Sequence, residues 1–338
     1  MEPSVALLQR LGLAIRWEFP AVGEAAMREG GDPFPDSARA AIDAADATLF
    51  GATSGASARA LFYLRWGKRT YANLRPLRWS QGFRSSLADP SGVDLALVRE
   101  NLEDLYLFAE GEIADLAPLE LHSFTAGKPV HELGDGRFAI KAITRAGSER
   151  VIRFAFETAR RRRAEGKPGR VTLGAKFNML PRTDGLFRDV GKEIAAQYPD
   201  IAYECLLIDD LAHRLIARPA SFDVLVMPNL YGDILSDAAA GLVGGLGLAP
   251  SGCYGDDYAY FESVHGTAPD IAGRHIINPT ATLLSAAMML DYLGFTDAGA
   301  ALERAVRTTC AQGAALTPDQ GGTATTERFC AAVEANLQ

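Results

Sequence analysis

An α/β fold is what this sequence predicts, on three observations. Short apolar runs rich in Val, Ile, Leu and Phe alternate with segments of helical periodicity, the pattern of strands layered against helices. The chain has 338 residues, 48% of them hydrophobic, enough for a large core organised as one or two domains. No GxGxxG follows a predicted strand, and "GGLGLAP" (244 to 250) does not fit it, so no Rossmann dinucleotide fingerprint is present.

Six segments read as strands in chain order: "GLAIRWEF" (12 to 19), "ATLFGA" (47 to 52), "VDLALVRE" (93 to 100), "RVTLGAKF" (170 to 177), "AYECLLID" (202 to 209) and "FDVLVMPN" (222 to 229). The clearest helix is "SERVIRFAFETARRRRAE" (148 to 165), where Val151, Ile152, Phe154, Ala155 and Phe156 form an apolar stripe. Its arginine run reads as the solvated face of that helix. Between Phe108 and Gly136, Gly, Pro, Asp and His break the periodicity, which predicts an excursion from the core such as an arm or hairpin.

Composition excludes several classes of function. A net charge of -8, from 34 Lys+Arg against 42 Asp+Glu, argues against a general nucleic-acid binder. Cys205, Cys253, Cys310 and Cys330 include no CxxC pair, so neither a disulfide framework nor a zinc site is expected. The thiols read as reduced, in a cytoplasmic protein. No basic region leads into an apolar run at the N-terminus, and no apolar stretch is long enough for a membrane span.

The chemistry gathers in "NLYGDILSDAAAGLVGGLG" (229 to 247). Asp233 and Asp237 stand i, i+4, on one face of a helix that follows a strand. Two such carboxylates repel unless a cation or a proton lies between them. The plain alternative is a solvated face, but Ile234, Leu235, Ala238, Ala239 and Ala240 leave little other polar surface. Oxygen ligands at a strand's C-terminal end favour Mg2+ or Mn2+. Asp209 in "LLIDD" and Lys176 in "GAKFNMLPRTDGLF" stand at the ends of two other predicted strands. Arg65, Arg75 and Arg99 offer guanidinium forks suited to a di- or tricarboxylate, and Tyr106 lies seven residues beyond Arg99 as a candidate proton donor. Residues alone reach a metal-dependent enzyme acting on a small polycarboxylate.

The segments "YANLRP", "VRENLEDLY", "KFNMLPRTDGLF", "NLYGDILSDAAAGLVGGLGLAPSG" and "HGTAPDIAGRHIINPTATLLSAAMMLDYLG" resemble the β-decarboxylating dehydrogenases that act on isocitrate, homoisocitrate, 3-isopropylmalate and tartrate or D-malate. The resemblance runs from about residue 3 to the C-terminus. It implies a two-domain fold with a large twisted mixed sheet flanked by helices: residues 1-70 and 244-338 in a large domain with the cofactor loop, residues 71-243 in a small domain with the dimer interface. An intersubunit arm is implied at about 107-143. It also implies a homodimer or larger assembly with shared active sites, and oxidation of a substituted malate with loss of CO2.

Carried over residue by residue, the resemblance implies that Arg65, Arg75 and Arg99 hold the malate carboxylates. Asp233 and Asp237 would bind the metal with Asp209 of a second subunit. Lys176, also reaching across, would take the hydroxyl proton, and Tyr106 would protonate the enol. Glu262, His265, Gly266, Thr267, Ala268 and Asn278 are expected at the cofactor. Asp270 and Ile271 stand where NADP-dependent relatives place Lys and Tyr, so NAD is expected, because a carboxylate suits ribose hydroxyls and repels a 2'-phosphate.

Three departures stand out. Relatives open with a strand and a Gly-Asp-Gly-Ile-Gly-Pro turn, whereas this sequence starts at Met1-Glu2-Pro3, so the first family strand is expected to be missing. Ser263 replaces a usual Pro. The substrate-discriminating stretch "SGASARALFYLR" (54 to 65) matches no subfamily: Arg59 would suit an anionic 3-substituent, Leu61 and Phe62 an apolar one. A tartrate or D-malate type enzyme, or a catalytically silent regulatory subunit, are the other readings.

Overall fold

The computed structural model describes residues 1–52 and 55–337. Helices α1 (Glu2–Arg10), α2 (Glu24–Gly30) and α3 (Asp36–Ala44) precede strand β1 (Ala47–Phe50) and the short helix α4 (Ala58–Phe62), which continues into a π-helical turn over Tyr63–Gly67. Strands β2 (Ala72–Arg78) and β3 (Asp94–Glu100) follow. The irregular excursion expected next is built of two small antiparallel sheets, β4 (Glu110–Glu112) with β7 (Arg137–Ala139), and β5 (His122–Ser123) with β6 (Lys128–Pro129). Strands and helices then alternate: α5 (Arg145–Ala164), β8 (Arg170–Ala175), α6 (Thr183–Ala195), β9 (Ala202–Leu207), α7 (Ile208–Ala217), β10 (Val224–Met227) and α8 (Asn229–Leu242). After them come β11 (Pro250–Tyr254), β12 (Ala259–Ser263), α9 (Thr280–Tyr292), α10 (Thr296–Gln312) and α11 (Thr326–Ala335).

One eight-stranded mixed sheet, in the order β1-β12-β11-β2-β3-β10-β8-β9, organises the molecule. The run β3, β10, β8 and β9 is parallel, whereas β2 and β11 enter antiparallel. The parallel run carries the C-terminal ends of β3, β8 and β10 to one edge, where ligands bind in open α/β sheets. Helix α5 buries Val151, Ile152, Ala155 and Phe156 against this half, in a core shared with Val98, Val171, Leu173 and Val226. The side-chain oxygen of Thr144 caps α5 by accepting from Gly147 N at 3.0 Å, satisfying one of the orphan amides of the first turn. The arginine run on α5 is largely ion-paired: Arg160 with Asp200 at 3.0 Å, and Arg162 with Asp223 at 2.6 Å. Arg160, Arg161 and Arg163 lie on the solvated face expected of the run, whereas Arg162 is largely buried between Asp94 and Asp223. Among the described residues no helix is long and apolar enough to cross a membrane.

Two sequence expectations need correction. Residues 12–19 form no strand: the segment is extended, and its only backbone hydrogen bond within those residues joins Ile15 N to Leu13 O. Its period-two pattern is nevertheless real, because Leu13, Ile15 and Trp17 pack on the core beside Leu49. Alternating burial needs only an extended backbone over an apolar surface, not a ladder. Also, Ile208 and Asp209 belong to the first turn of α7, not to the preceding strand. Strands β2, β11 and β12 were not legible as such. "ANLRPLR" and "PSGCY" lack the β-branched and aromatic enrichment of ordinary strands, and tertiary pairing overrides that propensity.

Glu100, at the end of β3, is fully buried and accepts from the backbone amides of Leu102 and Glu103, both at 2.9 Å. Burial pushes its carboxyl up to about 7, against the pull of those two amides. A raised acid contributes stability that is complete below its unfolded value and lost as pH rises through its folded value. Glu100→Gln is therefore expected to flatten the stability profile between pH 5 and 8, by about 2 kcal/mol across that window. Chemical denaturation of both proteins at the two pH values checks it; parallel profiles would contradict the assignment.

Candidate functional site

The penultimate residue of strand β3 is Arg99, 2% exposed, whose Nε donates to Asn229 Oδ1 at 2.8 Å at the start of α8. Its Nη1 pairs with Asp233 one turn further along that helix. The approach is close because residue 232 is glycine: a Cβ there would lie 2.7 Å from the Arg99 side chain. Arg75, from the neighbouring strand β2, pairs through Nη1 with Asp237 Oδ1 at 2.6 Å and through Nε with Asn73 Oδ1 at 3.1 Å. The i, i+4 acids thus share one face and meet two guanidinium groups. Tyr106 closes the group, its hydroxyl donating to Asp233 Oδ2 and its ring lying 5.1 Å from the Arg99 guanidinium carbon.

The crowding of arginines in this cleft bears on Arg99. Burial lowers Arg99 to about 10, with Asp233 opposing and Arg65 and Arg75 adding to the fall. Burial and the hydrogen bond to Asp233 raise the Tyr106 phenol, so it stays protonated at neutral pH. Burial also raises Glu262, although Arg65, Arg75 and Arg99 pull the other way. Two guanidinium donors, Arg65 Nε and Arg99 Nη2, are buried with no partner among the described residues. Unpaired buried donors are costly; both side chains line the same cleft, and Arg65 also lies against the buried Tyr260 hydroxyl.

The cleft is lined by Leu61, Arg65, Arg75, Arg99, Tyr106 and Asp233 on one side, and by Ser251, Glu262, Ser263, Val264, His265 and Gly266 on the other. Ser251 and Val264 were not legible in the sequence, since small or apolar residues carry no motif signal of their own, and Ser263 stood out there only as a replacement for Pro. His265 Nε2 is buried without a partner, while Nδ1 lies 2.9 Å from Gly266 O. Thr267, Ala268, Asp270 and Ile271 continue the loop, with Ala268 at φ +47° and Asp270 exposed. Asn278 is buried, its Nδ2 donating to Asp319 at 2.9 Å.

Other candidates lie elsewhere. Lys176, just past β8, pairs with Asp209 at 2.6 Å on α7, and this contact holds the Asp209 carboxyl below its usual range. Neither joins Asp233 and Asp237: no group of three metal-ligating side chains forms among the described residues. Arg59 reaches Asp32 at 2.8 Å, and Phe62 packs on Trp66 and Phe108 with ring centroids at 5.1 and 5.5 Å. Of the substituent-discriminating residues only Leu61 lines the cleft. Ser54, at the head of that stretch, lies outside the described residues.

Buried arginines, a paired-acid helix and a phenol thus meet in one cleft at the edge of a mixed α/β sheet. The chain belongs to the isocitrate/isopropylmalate dehydrogenase family, whose model matches residues 5–333; it is an oxidoreductase of that decarboxylating type. It is 41% identical over 320 residues to the 3-isopropylmalate/3-methylmalate dehydrogenase of Methanocaldococcus jannaschii, covering 94% of this chain and 89% of that one. It is 42% identical over 334 residues to the isocitrate/homoisocitrate dehydrogenase of Thermus thermophilus, covering 97% and 91%. The crystal structure of isocitrate dehydrogenase from Methylococcus capsulatus superposes with a TM-score of 0.85 at 36% identity, covering 99% and 94%.

Proposed function

We propose that this protein catalyses the NAD-dependent, divalent-metal-dependent oxidative decarboxylation of a 3-substituted malate to a 2-oxo acid and CO2. The observation that carries this reading is the pair of buried, unpartnered donors on Arg65 and Arg99, set beside Arg75, Asp233 and Tyr106 in one cleft. Arg65, Arg75 and Arg99 would grip the two malate carboxylates, since guanidinium forks match carboxylate geometry. The donor set fits a hard cation: Asp233 and Asp237 present oxygens on one helix face, and carboxylates of this kind take Mg2+ or Mn2+. Bound there, with Asp209 from a second subunit, the ion would supply Lewis acidity at the 2-hydroxyl oxygen.

The proton steps belong to the chain's own side chains. Lys176 of a second subunit removes the proton of the 2-hydroxyl, and the protonated Tyr106 hydroxyl returns one to C3 after CO2 leaves. NAD supplies the hydride acceptor. The orphaned Nε2 of His265 and the exposed carboxylate of Asp270 in the same loop fit a dinucleotide without a 2'-phosphate, with Glu262, Gly266, Thr267, Ala268, Ile271 and Asn278 around it.

A homodimer follows from the same reading, because Lys176 and Asp209 do not reach Asp233 and Asp237 within one chain. Exposed apolar side chains on the arm and on α7 and α8, Phe124 (100%), Leu119 (60%), Ile216 (52%) and Ile234 (58%), are the uncovered surface that such an interface would bury. Residues 1-70 with 244-338 and residues 71-243 are proposed as the two domains, the arm springing from the second.

The 3-substituent this cleft favours is apolar. Leu61 faces it, whereas Arg59 is held by Asp32, so no further cation is offered to a third carboxylate. With 3-isopropylmalate, 3-methylmalate, isocitrate and homoisocitrate compared at saturating NAD and Mg2+, kcat/KM is expected to be at least ~10-fold higher for the alkyl-substituted acids. The reverse order would overturn the assignment of the substituent.

A further inference from the structure

Lys141, at the base of the arm, connects two segments that carry the proposed catalytic groups. Its Nζ lies 2.8 Å from Asp184 Oδ1 and 3.2 Å from Asp104 Oδ1, both carboxylates being fully buried. The ammonium also sits 4.5 Å from the centroid of the Tyr231 ring and donates to its hydroxyl at 3.4 Å. The second oxygen of each acid is occupied by a backbone amide: Asp184 Oδ2 accepts from Lys176 N at 2.7 Å, and Asp104 Oδ2 accepts from Leu230 N at 2.9 Å. Asp104 is two residues from Tyr106, and Leu230 opens the helix turn that leads to Asp233.

The chain is locally bent to make this arrangement. Asp104 adopts φ +71° and ψ -141°, outside the left-handed helical region that Asp tolerates and strained for a residue with a side chain, and its amide donates to Ala142 O at 2.9 Å, next to Lys141. One cation therefore stands between a carboxylate that holds the backbone of Lys176 and a carboxylate that holds the start of α8. Charged groups in such a network are fixed by one another, so removing the cation leaves two buried acids that must move apart or take up a proton.

We infer that Lys141 is a positioning residue, which sets the placement of the Lys176 segment against the unit carrying Tyr106, Asp233 and Asp237. The inference rests on the proposed reaction. Because Lys176 serves the site of a second subunit while Tyr106 and Asp233 serve their own, a change at Lys141 disturbs both sites of the dimer.

The test is steady-state kinetics of the purified dimer, with concentrations corrected for folded protein, on the wild type, Lys141→Met, Lys141→Arg, and Lys141→Met combined with Asp184→Asn. Asparagine keeps an acceptor for Lys176 N while removing one of the two buried charges, so the double variant folds where the single one fails to. Misplacement on the ångström scale is expected to lower kcat about 30-fold in the Met-containing variants, with substrate KM changed less than about threefold, and Lys141→Arg to return kcat to within about fivefold of wild type. A folded double variant with wild-type kcat overturns the inference, as does a failure of both Met-containing variants to fold, which would make Lys141 purely structural. Silence of the wild type with every substrate removes the proposed reaction and this inference with it. Wild-type turnover with unchanged kcat in Lys141→Met removes the inference alone.

Discussion

Lys176→Met is expected to lower kcat by about 1,000-fold or more, the upper range for loss of a positioned acid or base, while substrate KM stays within a few-fold. Lys176 packs against Asp209 rather than against Asp233 and Asp237 of its own chain, and the proposed function therefore has it act across a subunit boundary. That arrangement makes a second, more specific outcome measurable. Dimers re-formed from equal amounts of Lys176→Met and Asp233→Asn chains should regain roughly a quarter of wild-type activity. Half of the dimers are then mixed, and each mixed dimer contains one site with both native groups. This arithmetic follows from the closed two-fold symmetry of a dimer. Activity that stays at the level of the separate variants after verified exchange would show that the sites are not shared.

Asp233→Asn is expected to be nearly as damaging, for a different reason. Asp233 is where Arg99, Arg75 and Tyr106 converge, so its charge balances the arginines and, in the proposed function, also offers an oxygen to the metal. Removing the charge should weaken Mn2+ binding by 10- to 100-fold or more, roughly the cost of disturbing a metal site, and lower kcat/KM by about 1,000-fold. Titration of Mn2+ by electron paramagnetic resonance reads the first effect without any turnover. Unchanged Mn2+ affinity would remove Asp233 from the metal site.

The charge pattern explains why so much of this cleft was legible in the sequence. Two acids at i, i+4 in an otherwise apolar helix have few structural uses, so Asp233 and Asp237 point to their chemistry directly. Arg99 stands next to last in an apolar strand, which leaves its guanidinium at a strand end where ligands bind. The alternation of β8, α6, β9, α7, β10 and α8 is likewise carried by local periodicity.

What escaped is what depends on distant pairing. Residues 12–19 alternate correctly yet meet no strand, because period two reports which way side chains face and nothing about hydrogen-bond partners. Strand β2 carries Arg75 and Pro76 and is buried only because β3 and β11 flank it. The fate of Arg59 was set by Asp32, 27 residues away, and the junction at Lys141 joins an acid from the loop after β3 to one from the first turn of α6. No spacing rule in one sequence reveals such contacts.

A metal-dependent oxidation of a 3-substituted malate coupled to loss of CO2 is checked by following the cofactor and the gas together. Purified protein is given each acid of the malate series with Mg2+, with NAD or NADP, before and after removal of the metal by EDTA. At least one acid is expected to yield NADH and CO2 in equal amounts, NADP to be used less well than NAD, and chelation to stop both products until Mg2+ or Mn2+ is restored. Full activity without the metal, NADH without CO2, or no turnover of any acid by a folded dimer would contradict it.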